Sequence, residues 1–153
     1  MPRIVFLDSG PLGLVTQRKG VPNVEACRRW VDLLTDAGVR VMVPEVADFE
    51  IRRELLRSGK TQGLHRLDAF NSAAEGRYVP ITTSAMRRAA ELWADARNRG
   101  LPTADARALD ADVVLAAQAL TAGYPLTEIA VASVNVRHIS RYVPCQLWTD
   151  LLP

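Results

Sequence analysis

Apolar and polar residues change their spacing along this chain wherever glycine or proline intervenes, and the changes mark out the elements. Residues Arg3 to Leu7 run through Ile4, Val5, Phe6 and Leu7 with no polar interruption. Such a run reads as a strand buried on both faces, and the Asp8-Ser9-Gly10-Pro11 that follows reads as a turn. From Pro22-Asn23, apolar positions recur at helical spacing through Val24, Cys27, Val31 and Leu34, and Gly38 is a helix-stop signal. Val39 to Val43 then predicts a second short strand, closed by Pro44.

Helical spacing returns from Val46 to Arg57, with Phe49, Ile51, Leu55 and Leu56 as its apolar positions and Ser58-Gly59 as its end. Thr61 is expected to cap a further helix carrying Leu64, Leu67 and Phe70. Tyr78 to Ile81 is a brief extended piece. Thr83 or Ser84 is expected to cap a long helix through Met86, Ala89, Ala90, Trp93 and Ala96, ending at Gly100. Pro102-Thr103-Ala104-Asp105 reads as a turn and helix cap before a small-residue helix from Leu109 to Ala122, which Gly123 and Pro125 stop. Ile129 to Ser133 predicts a buried strand, and Gln146-Leu147-Trp148 a terminal one. Strands separated by helices imply an α/β fold with a parallel sheet covered by helices. There is no internal repeat, low-complexity tract or linker, and residues 1–153 are expected to form a single domain.

Composition narrows the classes. Hydrophobic residues make up 48% and charged residues 24%, enough apolar material for a packed core. No apolar stretch is long enough to span a bilayer, and the greasy run after Arg3 is too short for a signal-peptide core, so no membrane association and a cytoplasmic location are expected. Cys27 and Cys145 are too few and too far apart for a cysteine metal site, and buried thiols are expected rather than a disulfide. A net charge of +2 is compatible with a polyanionic partner without requiring one.

The acidic residues carry the candidate chemistry. Asp8 ends the first strand, where ligands gather in open parallel sheets, although an aspartate there also starts turns. Asp112 shares a helical stripe with Leu115, Ala116 and Ala119, and a carboxylate over an apolar stripe is costly unless a cation or donor receives it. A place in the first turn of the helix, facing its free amides, accounts for it equally well. Glu50 can reach the same sheet edge, but Glu45 and Asp48 lie on the same helix, so composition alone does not choose among them.

These residues resemble the motifs of a known family. Phe6-Leu7-Asp8-Ser9 is similar to the opening of PIN domains, particularly VapC-type toxins. Val43-Pro44-Glu45-Val46-Ala47-Asp48-Phe49-Glu50-Ile51 is similar to their second motif, with its acid at Glu50. Asp112-Val113-Val114-Leu115-Ala116-Ala117-Gln118-Ala119 resembles the third, and Ala132-Ser133-Val134-Asn135-Val136-Arg137-His138-Ile139 the fourth. The resemblance implies a single PIN-like domain with a central parallel sheet of about four to five strands and helices on both faces. It also implies a Mg2+ or Mn2+ site and cleavage of single-stranded RNA. Asp8 and Asp112 are then expected to hold the principal ion, Glu50 to ligate it or orient its waters, and Asn135 to complete the shell. The fourth motif often carries an aspartate where Asn135 stands, and Asp110 or Asp105 is a candidate for the missing charge. Ser9, Arg53, Arg137 and His138 are candidates for substrate contact, with Arg52, Arg57, Lys60 and Arg141 beside them. A cognate antitoxin and a homodimer are further expectations of the resemblance. The alternative is a catalytically weakened PIN fold that binds RNA or protein without cutting.

Other chemistries lack their residues. There is no glycine-rich phosphate loop and no G-x-S-x-G elbow. Gly10 occupies the place of the second acid that a phosphoaspartyl phosphatase would need, and a receiver-like signalling domain would need a mid-chain phosphoacceptor and a late lysine that are missing.

Overall fold

The computed structural model of the chain describes residues 1–100 and 106–153. The expected turn and cap at Pro102 to Asp105 lie outside the described residues. Five parallel strands form one sheet in the order β3-β2-β1-β4-β5: β1 (Ile4–Leu7), β2 (Arg40–Pro44), β3 (Tyr78–Val79), β4 (Ile129–Ser133) and β5 (Cys145–Leu147). The chain adds β2 and β3 on one side of β1, then returns to add β4 and β5 on the other. The reversal opens a crevice beyond the carboxyl ends of β1 and β4.

Alternation within β1 divides the core. Ile4 and Phe6 face one helical layer with Met42, Leu92, Leu115, Ala116, Val131 and Ile139. Val5 and Leu7 face the other with Leu12, Cys27, Trp30, Leu34, Val41 and Val43. The first layer is built from α5 (Thr83–Asn98), α6 (Ala106–Leu120) and α7 (Val136–Ile139). The second is built from α1 (Ser9–Val15), α2 (Pro22–Asp36) and α4 (Thr61–Ser72), and α3 (Glu45–Arg57) contributes Val46 to one core and Ala47 to the other.

Several local expectations change. Asp8-Ser9-Gly10-Pro11 does not form a free turn: it opens α1, with Asp8 as the cap accepting from the Ser9 amide at 2.8 Å. Pro11 is tolerated because the first-turn amides have no partner within the helix. The cap of α5 is Thr82, whose hydroxyl accepts from the Ala85 amide at 3.0 Å, rather than Thr83 or Ser84. Lys60 precedes α4 and Thr61 is its first residue, with no side-chain cap. The buried face of α5 is Ala85, Ala89, Leu92 and Ala96, while Met86 and Trp93 are exposed. Small residues win there because α6, which buries Ala116, Ala117 and Ala119, packs closely against it. On α3, Phe49 and Leu56 likewise point to solvent.

Gly38, at φ +82°, makes the turn from α2 into β2 that a side chain would strain. Both cysteines are free thiols, Cys27 fully buried. Trp30 packs on Trp148 and donates from Nε1 to the Leu151 carbonyl at 2.6 Å, which fastens the C-terminal segment to α2. No helix among the described residues is long and apolar enough to cross a membrane.

Candidate metal centre

Asp8 sits where β1 becomes α1, at the switch in strand order. It is 7% exposed, and each carboxylate oxygen has one donor: Oδ1 takes the Ser9 amide and Oδ2 the Ser133 hydroxyl at 2.6 Å. Ser133, wholly buried at the end of β4, also accepts from the Asn135 amide at 2.8 Å. One hydroxyl therefore joins the ends of β1 and β4 and fixes the Asp8 carboxylate. Burial raises the Asp8 carboxyl above its ordinary range, and its two hydrogen bonds pull it back.

The acids of α3 have separate fates. Glu45 accepts from the Tyr78 hydroxyl at 2.5 Å and from the Ile81 amide at 3.1 Å, so it ties α3 to the strand beside it. Asp48, 4% exposed, accepts a two-point contact from Arg52 and a further bond from Asn71. Only Glu50 has no hydrogen bond or ion pair among the described residues. It is half-buried, and burial first, then the charge of Asp8, pushes its carboxyl up, with Arg53 opposing. The structure thus separates three acids that composition could not.

Asp112, half-buried on α6, lies within electrostatic reach of Asp8 and Glu50. Burial raises its carboxyl to about 7, with the charges of Asp8 and Glu50 adding to the effect. Its stripe mates Leu115, Ala116 and Ala119 are all buried. The field reaches Cys145 as well: burial first, then Asp8 and Asp112, pushes its thiol up to about 12, which keeps it protonated and unreactive.

Gln118 ties together α6 and α3, the helices that carry Asp112 and Glu50. Buried in α6, it accepts from the Val46 amide at 3.1 Å and donates to the Val79 carbonyl at 2.8 Å. One amide side chain locks α6 to the first turn of α3 and to β3. Neither Gln118 nor Ser133 stood out in the sequence, because their partners lie 72 and 125 residues away.

The remaining candidates are spread around this core. Asp110 is exposed and shares a cavity of about 660 Å3 with Glu50, Arg53 and Phe49. Arg53 lies over the Phe49 ring at 5.2 Å. Asn135 is half-buried, with its backbone on Ser133. Ser9 is half-buried beside Asp8, Arg137 lines a different cavity with Val134 and Gln146, and His138 is half-buried on α7. Arg52 is engaged by Asp48 and Asp68, and Arg57 by Glu54. Asp105 lies outside the described residues.

The PIN domain family matches residues 5–130 of the sequence. The chain belongs to the PIN-domain family. No curated protein sequence matches it. This PIN domain is similar in fold to a chain of VapBC2 from Rickettsia felis bound to a DNA fragment from its promoter. That match has a TM-score of 0.71 and 16% identity over 95% of this chain and 98% of the other. DNA-bound VapBC from Salmonella typhimurium matches at 0.67 and 18%, over 97% and 99%. FitAcB from Neisseria gonorrhoeae matches at 0.66 and 17%, over 96% and 99%.

The donor set of this PIN domain fits a hard divalent cation. The carboxylates of Asp8, Glu50 and Asp112, from three elements, lie within electrostatic reach of one another and offer only hard oxygen donors. Among the described residues no group of three or more His, Cys, Asp or Glu side chains is already arranged to hold an ion. The chemistry is suited to the cation, while the present spacing does not make a coordination shell.

Proposed function

We propose that the chain is a divalent-metal-dependent ribonuclease that hydrolyses RNA phosphodiester bonds, acting as the toxin of a toxin–antitoxin pair. The observation that carries this reading is the electrostatic coupling of Asp8, Glu50 and Asp112, each carboxyl pushed up, at the switch point of a PIN fold. Carboxylates held at mutual repulsion raise the energy of the empty site, and Mg2+ or Mn2+ would offset that cost.

Asp8 and Asp112 would hold the ion, with Glu50 as a third ligand or as the acceptor that orients water. A bound divalent cation supplies charge neutralisation at the phosphate and activates water for attack. Ser133 holds Asp8 in one rotamer, and Gln118 fastens the helix of Asp112 to the helix of Glu50. Asn135 offers a neutral amide oxygen at the same edge, and Asp110 is placed to add charge from the rim. Ser9, Arg53, Arg137 and His138 are assigned to substrate contact, with Arg53 at the wall of the Glu50 cavity best positioned for a phosphate.

An antitoxin protein is the proposed partner, because the fold neighbours come from VapBC and FitAB complexes. The whole of residues 1–153 is taken as one nuclease domain, working in the cytoplasm as a homodimer.

The second reading, a PIN fold that binds RNA or protein without cutting, is favoured by Asn135, which leaves the end of β4 without a charge. Incubation of a panel of structured and unstructured RNAs with Mg2+, Mn2+ or EDTA, for wild type and Asp112→Asn, decides between them. Metal-dependent cutting lost in the variant supports the ribonuclease. Binding of RNA with no cutting under any condition supports the second reading.

A further inference from the structure

We infer that the cavity at the carboxyl end of α1 is a second binding site, for the phosphodiester backbone of single-stranded RNA away from the scissile bond. The inference rests on the ribonuclease reading for the identity of its polyanion. The cavity, about 580 Å3, gathers Arg18 and Lys19 from the loop after α1, Arg28 from α2 and Arg66 from α4 around Thr16 and Phe70. No carboxylate lines it. The ion pairs among the described residues engage Arg52, Arg57, Arg88 and Arg99, and none of these four cations.

Two of the guanidiniums are held in place. Arg66 Nε donates to the Thr16 carbonyl at 2.8 Å, and Arg28 Nη2 to the Gln17 carbonyl at 2.6 Å. These are successive carbonyls at a helix end, where the partial charge is negative and cations are favoured. Both cations are therefore positioned without being neutralised by an acid. Glu25, one turn before Arg28, is turned to the Gly20 amide instead. The Arg28 Nε is buried with no acceptor, and a buried unpaired donor is costly unless a ligand receives it.

Planar guanidinium forks match phosphate oxygens at two points. The Phe70 ring at the cavity wall packs against the core with the Arg77 guanidinium over it at 4.3 Å, so recognition rests on the cations and the phosphates they would pair with. A second cavity of about 420 Å3 shares Thr16, Arg18 and Arg66 with the first and extends past Gly13 of α1 and Ile51 of α3. Lys60 and the Glu54 carboxylate also line that second cavity. The seven residues of α1 separate the basic cluster from Asp8 by about 10 Å, a span that a strand of a few nucleotides covers.

The test is the salt dependence of binding of a fluorescent single-stranded RNA, in EDTA so that nothing is cut. Wild type is compared with Arg18→Ala/Lys19→Ala and with Arg3→Ala/Arg87→Ala, a charge-matched control at exposed positions. Each lost phosphate contact should reduce the slope of log K against log salt by about 0.7. The pocket variant should therefore lose about 1.4 in slope and bind roughly tenfold more weakly at moderate salt, with the control close to wild type. Arg28→Gln, which keeps a donor for Gln17, should show the same sign of change. Unchanged slopes in the pocket variants, or an equal loss in the control, would overturn the inference while RNA binding by wild type leaves the ribonuclease reading intact. Displacement of RNA by polyglutamate of matched charge from wild type but not from the variant would assign the cavity to an acidic protein segment and overturn it too. Absence of RNA binding by wild type would remove the RNA reading and this inference together.

Discussion

Replacing Asp112 by asparagine should make the metal-free protein more stable while abolishing cleavage. The Asp112 carboxyl rises from an ordinary 3.8 to about 7, driven by burial and then by Asp8 and Glu50. Three units at about 1.4 kcal/mol each set an upper bound of about 4 kcal/mol. Water reaches part of this site and screens the interaction, and the amide still needs partners, so a gain of about 1–2 kcal/mol at pH 8 is expected. For a chain of this size that is a rise in Tm of roughly 2–8 °C. The sign follows from proton binding. Between 3.8 and about 7 the folded state holds a proton on Asp112 that the unfolded state has released. Wild-type stability therefore falls as pH rises through that window. The variant lacks this component, so the difference should be large at pH 8 and shrink toward pH 5. Thermal unfolding in EDTA across that range is the assay. Saturating Mn2+ should reverse the order, because a cation at about 100 times its Kd adds about 2.7 kcal/mol to the protein that binds it. A variant less stable than wild type at pH 8 in EDTA, or a gap independent of pH, would refute the claim that burial and the neighbouring carboxylates make ionised Asp112 costly.

Three other outcomes follow from the same contacts. Ser133→Ala removes the hydroxyl on Asp8 and should lower kcat with little change in KM, at a stability cost of about 1–2 kcal/mol by urea titration; an unchanged kcat would show that Asp8 needs no orienting bond. Gln118→Leu leaves the Val46 amide and the Val79 carbonyl unpaired and should cost about 2–4 kcal/mol in urea, with Gln118→Glu costly as well at neutral pH because a buried carboxylate would meet the Val79 carbonyl. Both thiols are pushed up to about 12, chiefly by burial, so alkylation at pH 8 should be slow for the native protein and fast once it is unfolded; rapid native labelling of Cys27 would contradict its burial.

The β-strands and most helices were legible because uninterrupted apolar runs and helical spacing report burial directly. The first helix was not, since Asp-Ser-Gly-Pro carries the same residues whether it turns freely or caps a helix. Only the packing of Leu12 and Val15 against α2 decides the matter. The exposed Met86, Trp93 and Phe49 show a second limit: large apolar residues suggest the core face, whereas close helix packing buries alanines instead. In the site, Asp112 stood out because its stripe is apolar and buried. Glu50 did not, because its two acidic neighbours were indistinguishable until their partners Tyr78, Arg52 and Asn71 were in place. Ser133, Gln118 and the basic cavity depend on contacts between distant segments, which no local pattern carries.

The most direct test of the central claim is a calorimetric titration of the metal-free protein with Mn2+, for wild type and for Asp8→Asn, Glu50→Gln and Asp112→Asn. One site lying among the three carboxylates predicts saturable binding by wild type and a loss of about tenfold or more in affinity for each variant. Binding that survives all three substitutions, or no binding by wild type, would contradict it.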